Sequence, residues 1–190
     1  MAVHTGKPAV KFSCVEGCSD CCIYRDYYPT KEFGKIGVLL LPEEKHRIEN
    51  LAEQKGISAK IVPRLAVGVD APEKIIAYQM MGKNDGDFCP FLDVEKQSPH
   101  GGYACSIYKD RPLACAAYPV IDAGRVATLD PHCQFCKKHS TTASLDGIQG
   151  ELESLSKIKA QVRAGAMRVW RYATATGKES VYQEGWVLET

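Results

Sequence analysis

Residues 14–22 read CVEGCSDCC and place Cys14, Cys18, Cys21 and Cys22 inside nine consecutive positions. Each disulfide demands a specific separation and dihedral, and thiols this close along the chain cannot all meet that demand in pairs without severe crowding. Thiolates gathered in one place need a cation, so the run points to a metal or iron–sulfur site. Cys21 and Cys22 are adjacent, and in an extended backbone adjacent side chains point to opposite faces. On that reading one small ion such as zinc rarely takes both. A cluster or two separate ions accommodates the pair more easily, or one of the two is a small buried apolar residue.

Working outward, the other cysteines are Cys89, Cys105, Cys115, Cys133 and Cys136, with none at 23–88 and none after 136. They stand beside Gly, Pro, Asp and Ser rather than being scattered through core segments. Cys89 precedes Pro90, as in some ferredoxin-type ligand runs. Cys133 and Cys136 form a CxxC with His132 beside it and His139 three residues beyond, which reads as a zinc half-site. Cys18, Cys21, Cys22, Cys89, Cys105, Cys115 and Cys133 are the preferred ligands, with Cys14 and Cys136 next. All-thiolate sites suit zinc or iron–sulfur, and such a site contributes to folding as well. Arg111, between Cys105 and Cys115, is the candidate cofactor-binding residue. It can donate to a cluster sulfur or neutralise thiolate charge.

The chain has 190 residues, 45% hydrophobic and 25% charged, which suits one domain over 1–190 with a real core. A net charge of +1 gives no basic surplus for nucleic acid. The longest apolar run, near 36–41, is far too short for a bilayer, and the N-terminus lacks the apolar core of a secretory signal. The sequence therefore predicts a cytoplasmic protein without membrane or nucleic-acid partners, where thiols stay reduced. Nine cysteines, an odd number, also fit a closed disulfide framework poorly. No G-x-S-x-G, Walker-type or dinucleotide fingerprint is present. Asp85, Asp87 and Asp93 lack calcium-loop spacing, and His4, His46 and His100 read as surface residues.

Local signals predict a helix over 42–55, opened by Pro42 with Glu43 and Glu44 and stopped by Gly56, burying Ile48, Leu51 and Ala52. The segment 23–30 reads as extended or loop, 57–73 is ambiguous, and 74–82 reads as a strand ending in the turn KNDGD. Segments 101–108 and 124–129 read as strands, and 111–119 as one or two helical turns. From Leu145 through Ile148, Leu152, Leu155, Ile158, Val162, Ala166 and Val169 to Ala173, apolar residues recur every three or four positions. That stripe predicts a long amphipathic helix over 144–175, packed on a cysteine region at 10–140, with a final strand near 180–188. The same helix is the candidate surface for a protein partner. The expected fold is a small compact α+β metal-binding domain with little sheet, closed by that C-terminal helix.

The pieces CSDCC (18–22), FCPFL (88–92) and CSIYKDRPLACAAYP (105–119), followed by Cys133, resemble the YkgJ-like CxxCxxCC family of zinc- or iron-chelating domains over residues 12–136. Here three residues, Val15, Glu16 and Gly17, separate the first two cysteines where the family usually has two, and Ala116 stands where it often has arginine. The resemblance implies metal chelation and does not choose the metal. Some larger members of that family are lysine N-methylases acting on flagellin. The C-x3-C-x2-C spacing of Cys14, Cys18 and Cys21 also occurs in radical S-adenosylmethionine enzymes, but the repeated strand–helix pattern of their barrel is absent. The leading expectation is an iron-binding protein, with iron held as an iron–sulfur cluster and a redox or electron-carrier role. A zinc-stabilised interaction module without catalysis is the alternative, and a component of an S-adenosylmethionine-dependent methylase the third.

Overall fold

Pro42 opens the longest helix of the N-terminal half because its missing N–H costs nothing in the first turn. This helix, α2 (Pro42–Gln54), ends before Gly56, whose φ of +64° terminates it. It buries Ile48 and Ala52, and Leu51 packs partly against the same cluster. The computed structural model describes residues 10–23, 33–83, 88–174 and 184–189. The expected loop at 24–30, the turn at 84–87, the start of the last strand at 180–183, and His4, Asp85 and Asp87 lie outside them.

Before α2 come a one-turn helix, α1 (Asp20–Ile23), and strand β1 (Val38–Leu40). After it run β2 (Ile61–Gly68) and β3 (Lys74–Met80), which with β1, β9 (Arg168–Ala173) and β10 (Gly185–Leu188) make a five-stranded antiparallel sheet ordered β1-β3-β2-β9-β10. Pro63 is tolerated within β2 because the ladder shifts register between Pro63 and Leu65, and β9 pairs only with Leu65–Gly68. One core cluster, with Leu40, Ile48, Met80, Phe91 and Ile107, fills the space between α2 and the β1–β3 side of this sheet.

The cysteine-bearing middle is built from short pieces. A hairpin pairs β4 (Leu92–Gln97) with β5 (Tyr103–Cys105). A 3-10 turn at Tyr108–Asp110 leads into α3 (Leu113–Ala117). A three-stranded sheet follows, ordered β6 (Val120–Ala123), β7 (Ala127–Leu129), β8 (Thr142–Ala143), with α4 (Gln134–Lys138) between the last two strands. Its second core cluster gathers Val120, Leu129, Phe135 and Ile148.

Two expectations are corrected. The described residues hold ten strands in three sheets, so the fold is mixed α+β with substantial sheet, not little. The helix expected over 144–175 is only α5 (Gln149–Gln161), packed on α3 and β6, and the chain then returns as β9 and β10. Gly147 (φ +82°) and Gly165 (φ +60°) bracket α5. Beyond Gly165, VWRYA is rich in β-branched and aromatic residues and finds a ladder on β2. Tertiary pairing therefore overrides a stripe that ran through both glycines. Leu145, Leu152 and Leu155 still face the second core cluster.

Candidate metal centre

Turn chemistry sets the first two thiols. Gly17 adopts φ +74°, and its N–H donates to the His100 carbonyl at 2.7 Å, while Cys18 N–H closes the turn on Val15 at 3.1 Å. Phe12 and Val15, which flank Cys14, pack against the second core cluster. Next, α1 carries Cys21 and Cys22 in a helical turn, so they are not splayed as an extended chain would splay them. Their sulfurs lie 3.9 Å apart. Cys105 ends β5, Cys115 sits inside α3, and Cys133 caps α4.

These segments surround a single cavity of about 370 Å³. Cys14, Cys18, Cys21, Cys22, Cys89, Cys105, Cys115 and Cys133 line it, so eight of the nine thiols, 60 to more than 100 residues apart in places, share one space. None is disulfide-bonded. Cys136 does not line it and instead stands beside Cys133, with both packed on the second core cluster. Among the described residues, no three Cys, His, Asp or Glu side chains are gathered closely enough, as they stand, to hold one ion. The thiols thus ring a volume rather than a point.

Cys14 is exposed and the other cysteines are partly buried, and lost hydration raises a thiol. Burial, followed by the Cys21, Cys18 and Cys133 thiols, pushes Cys14 from 9.0 up to about 11. Burial, then Cys133 and Asp130, does the same for Cys136. Cys18, Cys105 and Cys133 are also raised, burial again being the first cause. Metal uptake at neutral pH must therefore displace protons.

Arg111, the candidate cofactor-binding residue, is among the residues that line the cavity. Its guanidinium stacks 4.1 Å from the Tyr108 ring centroid and opposes the upward shift of Cys105. Its Nε is buried without a hydrogen-bond partner, as is Oγ of Ser98, another lining residue. Orphaned donors beside thiols fit a bound group that offers acceptors, such as metal-bound sulfur. Tyr108 and Tyr118 also line the space, although Tyr108 is 58% exposed and stands at its rim.

The weighed histidines fall elsewhere. His132 turns its Nδ1 to Asp130 at 3.0 Å with 73% of its side chain exposed, and the His139 ring packs on Phe135 at 4.8 Å. By contrast His100, read as a surface residue, lines the cavity with Ser98, Asp20 and Glu151 of α5. No spacing signal marked them, since each arrives through long-range packing.

Gly102 locks β5 to the first thiol segment. A Cβ there would meet the Cys18 carbonyl oxygen at 2.4 Å and Ser19 Oγ at 2.5 Å, while Ser19 Oγ accepts the Tyr103 N–H at 2.7 Å. Gly102→Ala is expected to destabilise the chain by about 1–3 kcal/mol and to lower its metal content. Gly124→Ala, with nothing within 4 Å, should change neither. Denaturant melts with elemental analysis of both variants check this.

The site is a cavity lined by eight thiols in a small α+β fold. The CxxCxxCC family, described as a "putative zinc- or iron-chelating domain", matches residues 13–134, and the chain belongs to it. Searches of curated proteins and of solved structures find no match. Among the described residues no helix is long and apolar enough to cross a membrane.

Proposed function

We propose that the cavity holds iron as an iron–sulfur cluster and that the chain serves a redox or electron-carrier role. The observation that carries this is the convergence of eight thiols on one 370 Å³ space. A tetrahedral zinc ion uses four ligands at one point. Eight thiols with no three meeting at an ion suit a centre with its own dimensions. Cluster iron is bound by cysteine thiolate, and hydrogen bonds to its sulfurs tune its potential. The unpartnered Arg111 Nε and Ser98 Oγ supply such donors.

A second reading rests on one distance. The Cys21 and Cys22 sulfurs, 3.9 Å apart, match the edge of about 3.8 Å that a tetrahedron of ~2.3 Å zinc–sulfur bonds has. This favours zinc in a structural interaction module. Anaerobic purification decides. Iron with acid-labile sulfide and a broad visible absorption bleached by dithionite supports the cluster. A colourless chain containing zinc overturns it in favour of the module.

A further inference from the structure

The eight thiols divide into two sets, and α1 is the seam between them. Cys133 packs on the second core cluster, as do Phe12 and Val15 on either side of Cys14. Cys89, Cys105 and Cys115 pack on the first. The two clusters are separate bodies of apolar side chains, so each presents its own wall of thiols to the shared space.

Helix α1 is tied to both walls by different groups. On one side the Asp20 carboxylate accepts from Gln134 Nε2 and lies 4.0 Å from Lys137 Nζ, both on the helix that Cys133 caps. On the other side the Cys22 carbonyl accepts the Cys89 N–H at 2.6 Å. Two residues of one short helix, Asp20 and Cys22, are thus tied to different walls, with Cys21 between them.

The geometry points to two four-thiolate metal centres: Cys14, Cys18, Cys21 and Cys133 in one, and Cys22, Cys89, Cys105 and Cys115 in the other. This rests on the reading that the cavity holds iron as iron–sulfur clusters, and it excludes the zinc reading in which Cys21 and Cys22 share one ion. The mutual influence of the thiols agrees, since Cys14 feels Cys21, Cys18 and Cys133, whereas Cys105 feels Cys115. Cys21 also reaches Cys105, as a residue at the seam should. As they stand the thiols of neither set close on one ion, so filling a centre draws them inward by side-chain rotation. The doubled cysteine then has a physical purpose. It places one ligand of each centre on a common turn and couples them through about one residue of backbone.

Native mass spectrometry and elemental analysis of the whole chain test the division. Cys14→Ser with Cys133→Ser should halve the metal per chain. So should Cys89→Ser with Cys115→Ser, and all four together should empty it. Cys136→Ser should leave the content unchanged. A single centre is the answer, and the division is overturned, if either pair alone removes all metal or removes none, or if Cys136→Ser removes a share. Should a pair variant fail to fold, cadmium titration of the metal-free wild-type chain decides: two equivalents with two cadmium resonances support the division, and one overturns it. A wild-type chain that takes up no metal overturns the proposed function and the division with it.

Discussion

Stripping the metal from the thiol cavity is expected to lower the melting temperature by about 8–16 °C, and returning it should restore the loss. A ligand held at a thousand times its dissociation constant stabilises the folded state by about 4.1 kcal/mol, and in a chain of this size each kcal/mol moves the melting temperature by about 2–4 °C. The structural reason is that the cavity is a joint. Both apolar clusters have cavity-lining thiols packed against them. The segment at 10–19 is attached by few backbone bonds, among them Gly17 to His100 and Ser144 to Val10. Without coordination, the remaining links across the joint include the Asp20 carboxylate, the Cys22 carbonyl and the Ser19 hydroxyl. Metal bonds among these thiols act as cross-links that the unfolded chain lacks. Calorimetric melts of the protein as purified, after chelation and after reloading check the expectation. An unchanged midpoint after verified metal loss would show that the clusters dock without the centre.

The cysteines and α2 were legible because their signals are local. Pro42, Glu44 and Gly56 mark a helix within fifteen residues, and helix and burial follow from them. The density of thiols at 14–22 likewise pointed to a shared site, and these cysteines line one cavity together with Arg111. The sheet was hidden because its ladders join distant, irregular strands. β2 contains Pro63 and Arg64, β4 is mostly polar, and β2 meets β9 across about a hundred residues. The apolar stripe through Val169 and Ala173 fitted a helical period, yet pairing with β2 decided their conformation. The assembly of the cavity was illegible for the same reason. The turn that carries Cys21 and Cys22 meets α4 and the Cys89 segment only through long-range contacts.

Glu44→Ala is expected to destabilise the protein by about 2–4 kcal/mol, with selective loosening of the α3 side of the cavity. Glu44 is 4% exposed, and such a carboxylate persists only where it is fully bonded. One oxygen accepts the Leu41 N–H at 3.0 Å, closing the start of α2. The other accepts the Leu113 N–H at 2.8 Å, satisfying the first turn of α3, and the Arg47 guanidinium at 3.2 Å. Arg47 in turn donates to the Asp110 carbonyl. This one side chain therefore fastens the helix that carries Cys115 onto α2. Alanine leaves two sheltered N–H groups unpartnered at about 1–3 kcal/mol each, offset by the removal of a carboxylate from a buried place. Glu44→Gln should fall between, because a single amide oxygen cannot serve both N–H groups. Glu49→Ala is the control: its pair with Lys45 is a partly solvated contact one turn apart on α2, so the change should stay within about 0.5 kcal/mol. Denaturant titration gives the stability, and the metal content per folded chain gives the cavity's response. If Glu44→Ala matches Glu49→Ala in both measurements, α3 is held by its packing on α5 and not by this carboxylate.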